Sequence, residues 1–398
     1  MTQKQRLLHV LGGGQWQVPT IRRARALGYR VLVTDLYADR PGYAYADYHE
    51  VMDITNREGT LSVARRYGID GIICDTTDVG VPTAAYVAEK MGLPGIGYET
   101  ALRFTDKYRM RRLVAEAGLQ ETRFAQAKDA KELDAAAEYV GFPLVIKPVD
   151  SQSSRGVHIV RQAEQLRPCF EDALRYSKQR RVLVEEFLPG TEATVEGLCV
   201  GGRYYTLAIS DKAHYAHRPE VARRLTYPAG FAPHVLKRLA DLNEAVVHTL
   251  GLTNGVTHAE YMVNGDDVRL VEIAARGGGS RVYSHIVPHV SDIDVLDAYL
   301  RFVMGEKLPQ PQAPRRRAAN LEFLDLPSGR VRAIHGLEET RRLPGIAEVL
   351  LEFGVGDTLR PPGDDRARPG FLLVFGDTRA EVLERTERAL LTLRTEVA

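Results

Sequence analysis

The sequence predicts a multidomain chain, α/β at its amino end and α+β beyond it, and three observations carry that prediction. Over the first hundred residues, short apolar runs at 7–11, 31–34 and 71–74 alternate with helical patterns at 19–27 and 59–67. Such alternation builds a parallel sheet with crossover helices. From Thr105 onward the alternation is lost and short β-rich runs dominate. Finally, 398 residues, 44% hydrophobic and 26% charged, are enough for two or three cores.

The second region opens with a helix carrying Met110, Leu113, Val114 and Ala117 on one face and stopping at Gly118. A second helix covers 130–139. Strands are predicted at 144–147, 157–160, 182–187, 194–200 and 204–209, with Gly201 and Gly202 supplying a two-residue hairpin turn. A helix over 233–250 follows, then strands at 255–263 and 268–274 and a helix at 293–304. Three prolines and three consecutive arginines mark 309–317 as a linker. Beyond it the pattern reads as a small mixed module, with strands near Leu321 and at 330–334, 348–353 and 371–375, and a closing helix at 379–393. The expected segments are 1–104, 105–308 (a smaller part 105–183 and a larger part 184–308) and 309–398.

A formal charge of +1 gives no basic surplus for nucleic acid. Cys74, Cys169 and Cys199 lie far apart without metal-ligand spacing and read as packed thiols. The apolar run before Gly12 is too short for a signal peptide or a membrane span, so the expected location is cytoplasmic and the expected partners are small molecules.

Gly12, Gly13 and Gly14 follow a strand and precede a helix, and Asp35 closes the second strand, as in a dinucleotide-binding fold. Gln17 replaces the third glycine, and the bulk of Trp16 stands where a pyrophosphate would approach. A tight strand-to-helix turn explains the run without NAD.

Four other features occur together. Lys107 starts a helix and Lys147 ends a strand, a pair of point charges suited to nucleotide phosphates. Between two strands, the small polar run at 150–157 holds Ser151, Ser153, Ser154, Gly156 and Val157. It can fold over phosphates, and it lacks the glycine-lysine-serine ending of a Walker loop. Glu185, Glu186, Phe187 and Leu188, with Glu192 beyond, form an extended stretch that can offer backbone and carboxylates to an adenine and a ribose.

The fourth feature is Glu260 and Glu272 on two strands joined by a turn. A three-residue loop at 265–267 places them directly opposite one another, with His258 on the same face. A one-residue slip separates them. Facing carboxylates repel unless a divalent cation bridges them, and an all-oxygen set suits Mg²⁺, with Mn²⁺ as a substitute. Arg276, followed by Gly277, Gly278 and Gly279, can stabilise charge on a transferring phosphoryl group or an oxyanion.

The order of these residues resembles the ATP-grasp superfamily over essentially the whole chain, with a Rossmann-like domain before the ATP-grasp fold and a carboxy-terminal module after it. The stretches from Lys147 to Val157 and from Glu272 to Gly278 look most like L-amino acid ligases. The resemblance implies an ADP-forming ligase that activates a carboxylate as an acyl phosphate and joins it to an amine. It implies ATP bound by Lys107, Lys147, the 151–157 loop, Glu185, Glu186, Phe187, Leu188 and Glu192. It further implies Mg²⁺ on Glu260 and Glu272, Arg276 at the reacting centre, and a homodimer. Ala274 and Ala275 stand where many members have asparagine and proline, a mark of this branch.

Between 209 and 233 lies a segment rich in Ser210, Asp211, Lys212, His214, His217, Arg218, Arg223 and Arg224, long enough for a lid or a solvated loop. Asp211 and Lys212, with His258 and Gly278, are the substrate-side candidates. Alternative readings are a purine-pathway or carboxylase-like enzyme activating formate or bicarbonate, an NAD-dependent oxidoreductase, and a non-catalytic nucleotide-binding module.

Overall fold

The computed structural model describes residues 5–308 and 317–398; most of the expected linker lies outside the described residues. The amino-terminal alternation forms a four-stranded parallel sheet in the order Tyr48–Val51, Arg30–Asp35, Leu7–Leu11 and Gly71–Ile73. The edge strand Tyr48–Val51 alternates half-buried with exposed residues, which explains why it carried no continuous apolar signal. Helices Val18–Ala26 and Arg57–Tyr67 lie where expected, the second capped by Asn56 and ended by left-handed Gly68. Helices Val81–Met91 and Tyr98–Thr105 complete the segment.

A second four-stranded sheet, antiparallel, has the order Phe124–Ala127, Val182–Glu186, Leu144–Pro148, His158–Val160. Helices Ala130–Val140 and Leu166–Arg175 cover it and share its own buried cluster, which includes Leu133, Ile146, Phe170 and Val184. The expected boundary at 183/184 falls inside one of its strands.

The largest sheet has eight antiparallel strands: Asp267–Ala274, Gly255–Asn264, Thr191–Val200, Arg203–Tyr215, Arg218–Tyr227, Ala318–Phe323, Gly370–Gly376 and Ile346–Leu351. One expectation is corrected by it. The charged segment at 210–227 is a strand pair inside this sheet and no lid: Ser210, Tyr215, Val221, Leu225 and Tyr227 are buried in it. Charge misled because polar and core residues share strands with two different faces. The carboxy-terminal strands also continue this same sheet, and only Gly329–His335, Thr358–Leu359 and Arg394–Val397 form a small sheet apart from it. One buried cluster therefore runs through Val10, Ile21, Tyr227, Ile286, Leu321 and Phe371, drawn from all three expected segments.

Two buried ionisable groups in the parallel-sheet region have opposite linkage. His9 is fully buried and its pKa falls to about 3 from 6.5 because burial disfavours the cation. Its stabilising contribution is present above 6.5 and is lost as pH falls toward 3. Asp75, also fully buried, is pushed up by burial to about 6 from 3.8. Its ionisation weighs on the fold above pH 6 and is relieved as pH falls toward 3.8. The two slopes oppose each other between pH 4 and 6. The stability difference between Asp75→Asn and the parent, read from urea unfolding, is expected to grow by as much as about 3 kcal/mol from pH 4 to 6 and then level off. A pH-independent difference would show that Asp75 takes up no proton in that window.

Candidate active site

A cavity of about 570 Å³ opens where the three sheets meet. The carboxyl ends of the parallel strands supply Gly12, Asp35, Thr77 and Asp78. The smaller sheet supplies Lys147 and Glu185, the large sheet Lys212, Glu260 and Glu272, and the carboxy-terminal region Asp365, Arg366 and Arg368. A smaller cavity of about 150 Å³ adjoins it and shares Glu186, Phe187, Leu188 and Met262. This is the apolar-walled stretch expected to take an adenine.

Glu260 and Glu272 are directly paired across their hairpin, as the metal reading requires, but the route to that register differs from the expected one. Asn264 pairs with Asp267, so the loop has two residues, not three, and a one-residue bulge at Val271 restores the register. The bulge is held from outside: the Val271 carbonyl accepts from Arg111 at 3.0 Å and from Lys147 at 3.2 Å. The carboxylates are also not left facing each other bare. Lys107 pairs with Glu272 at 2.8 Å, and Lys212 bridges Glu260 and Glu192 at 2.6 Å each. Burial would raise the Glu260 carboxyl, but Lys212 and His258 outweigh it and hold the group well below the usual range. Burial likewise opposes the Lys107 cation, and Glu272 and Asp78 more than offset it.

Among the described residues no cluster of three or more His, Cys, Asp or Glu could hold a metal by itself. Two carboxylates among lysines fit a divalent ion whose shell is completed by phosphate oxygens, the habit of Mg²⁺.

Glu185 lies in a buried ion-pair network beside the cavity. Its side chain, 5% exposed, accepts two hydrogen bonds from Arg111, at 3.0 and 2.7 Å, and pairs with Lys147 at 2.5 Å. Burial would raise its pKa, and the two cations hold it below the usual range. It stands on the cavity wall with its carboxylate shared between two cations. Glu186 pairs with Arg269 at 2.7 Å and lines both cavities. Glu192, expected to meet a ribose, also accepts from His214 at 2.7 Å.

Arg276 reaches the cavity and is gripped by both oxygens of Asp78, at 2.7 and 2.8 Å. His258 also lines the cavity. It contacts Glu196 at 2.7 Å and Glu260 at 3.7 Å. Burial would lower its pKa, but these carboxylates push it up to about 9. Ser151, Ser153, Ser154 and Val157 line the cavity as expected, while Gly156 is turned toward Tyr176 and Ala173.

Two substrate-side candidates do not stand in the cavity. Gly278 packs against His258 and Val282, where a β-carbon would come within 2.9 Å of the imidazole. Asp211 points away, paired with Arg379 at 2.8 Å and accepting from Gly230 N at 3.0 Å. Neighbouring strand residues face opposite sides, so Asp211 and Lys212 could not both reach the site. Asp211→Asn is therefore expected to leave the KM for ATP unchanged and to cost about 1 kcal/mol of stability, measured by denaturant midpoint.

The glycine run is a packed turn. Gly13 N donates to Asp35 at 2.9 Å, and a β-carbon on Gly13 would lie 2.9 Å from Arg40 Cβ. Asp35 accepts from Gly13 N and from Tyr37 N at 3.1 Å, which ties this turn to the second strand.

Sequence reasoning missed Asp78, Arg111, Glu196 and the cavity-lining Asp365, Arg366 and Arg368. Only Arg111 left a trace: it shares a helical stripe with Lys107, Met110 and Val114, a charge on a buried face.

Comparison with known proteins agrees with this geometry. Residues 140–284 match the ATP-grasp domain family and residues 322–398 the L-amino acid ligase C-terminal domain 2. The chain is 29% identical, over 98% of its length and 97% of the relative's, to a formate-dependent phosphoribosylglycinamide formyltransferase of Synechococcus sp. (strain CC9902). It is 25% identical to the uncharacterized protein y4rH of Sinorhizobium fredii, over 95% of this chain and 79% of the other. Among solved structures, the L-amino acid ligase from Bacillus licheniformis superposes with a TM-score of 0.86 at 21% identity, covering both chains fully. The phosphoribosylglycinamide synthetase from Anaerococcus prevotii gives 0.78 at 18%, covering 99% of this chain and 100% of the other.

The fold and the matched segments define an ATP-grasp enzyme, an ATP-dependent, ADP-forming ligase. Within that class the relatives divide: the carboxy-terminal match points to amino acid ligases and the curated sequences to formate-activating enzymes.

Proposed function

We propose that this enzyme uses Mg-ATP to convert an amino acid carboxylate to an acyl phosphate and then joins it to an amine. The observation that carries the reading is the pairing of Glu260 with Glu272 in a cavity ringed by Lys107, Lys147, Lys212 and Arg276. The two glutamates would hold Mg²⁺, which when bound neutralises phosphate charge and polarises the transferred group. Lys107 and Lys147 would contact the phosphates, with Glu185 fixing Lys147 and the 151–157 loop covering them. Glu186, Phe187 and Leu188 would receive the adenine, and Glu192 the ribose.

In the first step a carboxylate oxygen attacks the γ-phosphorus and ADP departs. In the second the amine nitrogen attacks the acyl carbon, the amide bond forms, phosphate leaves and the nitrogen gives up a proton. Arg276, held by Asp78, is placed to stabilise the oxyanion of that step. The cavity walls Trp16, Ala222, Leu225, Val282, Leu321 and Phe323 favour a carboxylate with an apolar side chain.

A second reading, activation of formate with a phosphorylated amine as acceptor, is favoured by the near full-length match to formate-activating relatives. It is also favoured by Arg155 on the cavity wall, whose pKa is lowered by burial and by the neighbouring Arg366 cation, a pair suited to a phosphate. Pooled amino acids, formate with glycinamide ribonucleotide, and bicarbonate should be compared for ADP and phosphate release, with product masses recorded. Amino acid pools are expected to stimulate release and yield amides. Stimulation by formate alone would transfer the assignment to the second reading, and silence in every pool would remove both.

A further inference from the structure

The middle of the 151–157 loop is attached to the amino-terminal region, outside its own sheet, through Gln152. The Gln152 side-chain amide donates to Thr77 Oγ1 at 2.7 Å, and its carbonyl oxygen accepts from Asp78 N. Asp78 in turn holds Arg276 with both carboxylate oxygens. Loop, turn and arginine come from three distant stretches of chain and meet within two residues of the turn. The turn is anchored from behind, where Thr76 Oγ1 accepts from Gln17 at 2.5 Å.

The loop has need of such an anchor. Ser153 and Ser154 have φ of 61° and 58°, in the left-handed region that a β-carbon disfavours, and such conformations persist only where surrounding contacts impose them. At its first residue the Ser151 carbonyl accepts from Lys107 Nζ at 2.5 Å. Across its middle the only other external polar contacts among the described residues, Asp365 N to the Ser153 carbonyl and Ser154 Oγ to the Asp365 carboxylate, are both 3.5 Å, at the outer limit of a hydrogen bond. Arg155 Nε donates to the Gln152 carbonyl at 3.1 Å, so the loop's internal shape also depends on where Gln152 sits.

We infer that Gln152 is a positioning residue that latches the phosphate-covering loop to the Thr77–Asp78 turn, so that loop closure and the orientation of Arg276 are achieved together. This rests on the proposal that the loop covers nucleotide phosphates. Its consequence is coupling: with the latch made, water is kept from the activated carboxylate until the amine attacks. With the latch broken, ADP is formed without a matching amount of condensed product.

The test uses the full-length chain and its Gln152→Ala, Thr77→Val and doubly substituted variants, with two readouts. The first is the rate of trypsin cleavage after Arg155, with and without Mg-ADP. Losing Gln152 is expected to raise it about tenfold, as for the loss of one or two hydrogen bonds. Thr77→Val should raise it by a smaller factor, and adding Thr77→Val to Gln152→Ala should raise it no further. The second is the ratio of ADP to condensed product, expected to climb from about one to several in Gln152→Ala. A residue that only stiffens the surface would lower both products in step.

Cleavage at the parental rate in both single variants overturns the latch, as does an unchanged ratio. Failure of Mg-ADP to protect Arg155 in the parent counts against the nucleotide reading instead, and the comparison between variants then still decides whether Gln152 holds the loop.

Discussion

Glu272→Gln is expected to lower turnover about a thousandfold while leaving the thermal midpoint close to that of the parent. The substitution keeps the shape of the side chain and the strand pairing with Glu260, and removes one negative charge from the cavity. A carboxamide offers a divalent ion one neutral oxygen in place of a carboxylate, and it leaves Lys107 without its ion-pair partner at 2.8 Å. Glu272 is about a quarter exposed at its side chain, and Asp78 and Glu260 remain beside the buried Lys107 to offset its charge. ADP release under saturating substrates, together with a melting curve, separates the two effects. Turnover near that of the parent would remove Glu272 from the metal site.

Arg111→Met is expected to destabilise the protein by about 3–5 kcal/mol, read from the denaturant midpoint. Arg111 is 2% exposed and donates to Glu185, to the Leu270 carbonyl at 2.7 Å and to the Val271 carbonyl at 3.0 Å. Its loss leaves a buried carboxylate with Lys147 alone, and the Leu270 and Val271 carbonyls with only the longer contacts from Gln120 and Lys147, each 3.2 Å. Replacing both partners, Arg111→Met with Glu185→Leu, should cost less than the sum of the single changes, because a buried pair exchanged for apolar volume leaves no orphan charge between them. Strict additivity would mean that the pair acts through separate neighbours. The same arginine sets the position of Lys147, so the KM for ATP is expected to rise in the single variant even at temperatures where it stays folded.

The elements whose signals are local were legible in the sequence. Helix Pro233–Leu250 begins on a proline and ends at left-handed Gly251, and the Gly201–Gly202 turn joins two strands as its composition demands. The ATP-grasp pattern was legible for a related reason: Lys107 opens a helix, Lys147 lies near a strand end, the serine-rich loop joins two strands, and the two glutamates lie on strands joined by a short turn. What stayed hidden depends on partners far away in the chain. Nothing near Asp78 announces that it holds Arg276 from 198 residues away, and nothing near Glu185 announces Arg111, 74 residues before it. The strand at 204–209 was read correctly, and its continuation with the next strand over 210–227 was missed because charge was weighed over the whole segment. Asp365, Arg366 and Arg368 lie in a turn that carries no motif of its own and reaches the cavity only because the large sheet continues through the carboxy-terminal strands.

The bulge at Val271 divides this hairpin into two zones with different tolerance to editing of the chain. Since the pairing of Glu260 with Glu272 is set by the extra residue and by Arg111 and Lys147 behind it, the outer turn at Gly265 and Asp266 has no part in aligning the carboxylates. New termini opened between those two residues would leave the carboxylates opposed. Deleting Val271 alone would remove the bulge and keep Glu272 opposite Glu260 on an uninterrupted ladder, whereas one residue inserted after Val271 would turn Glu272 to the far side of the sheet.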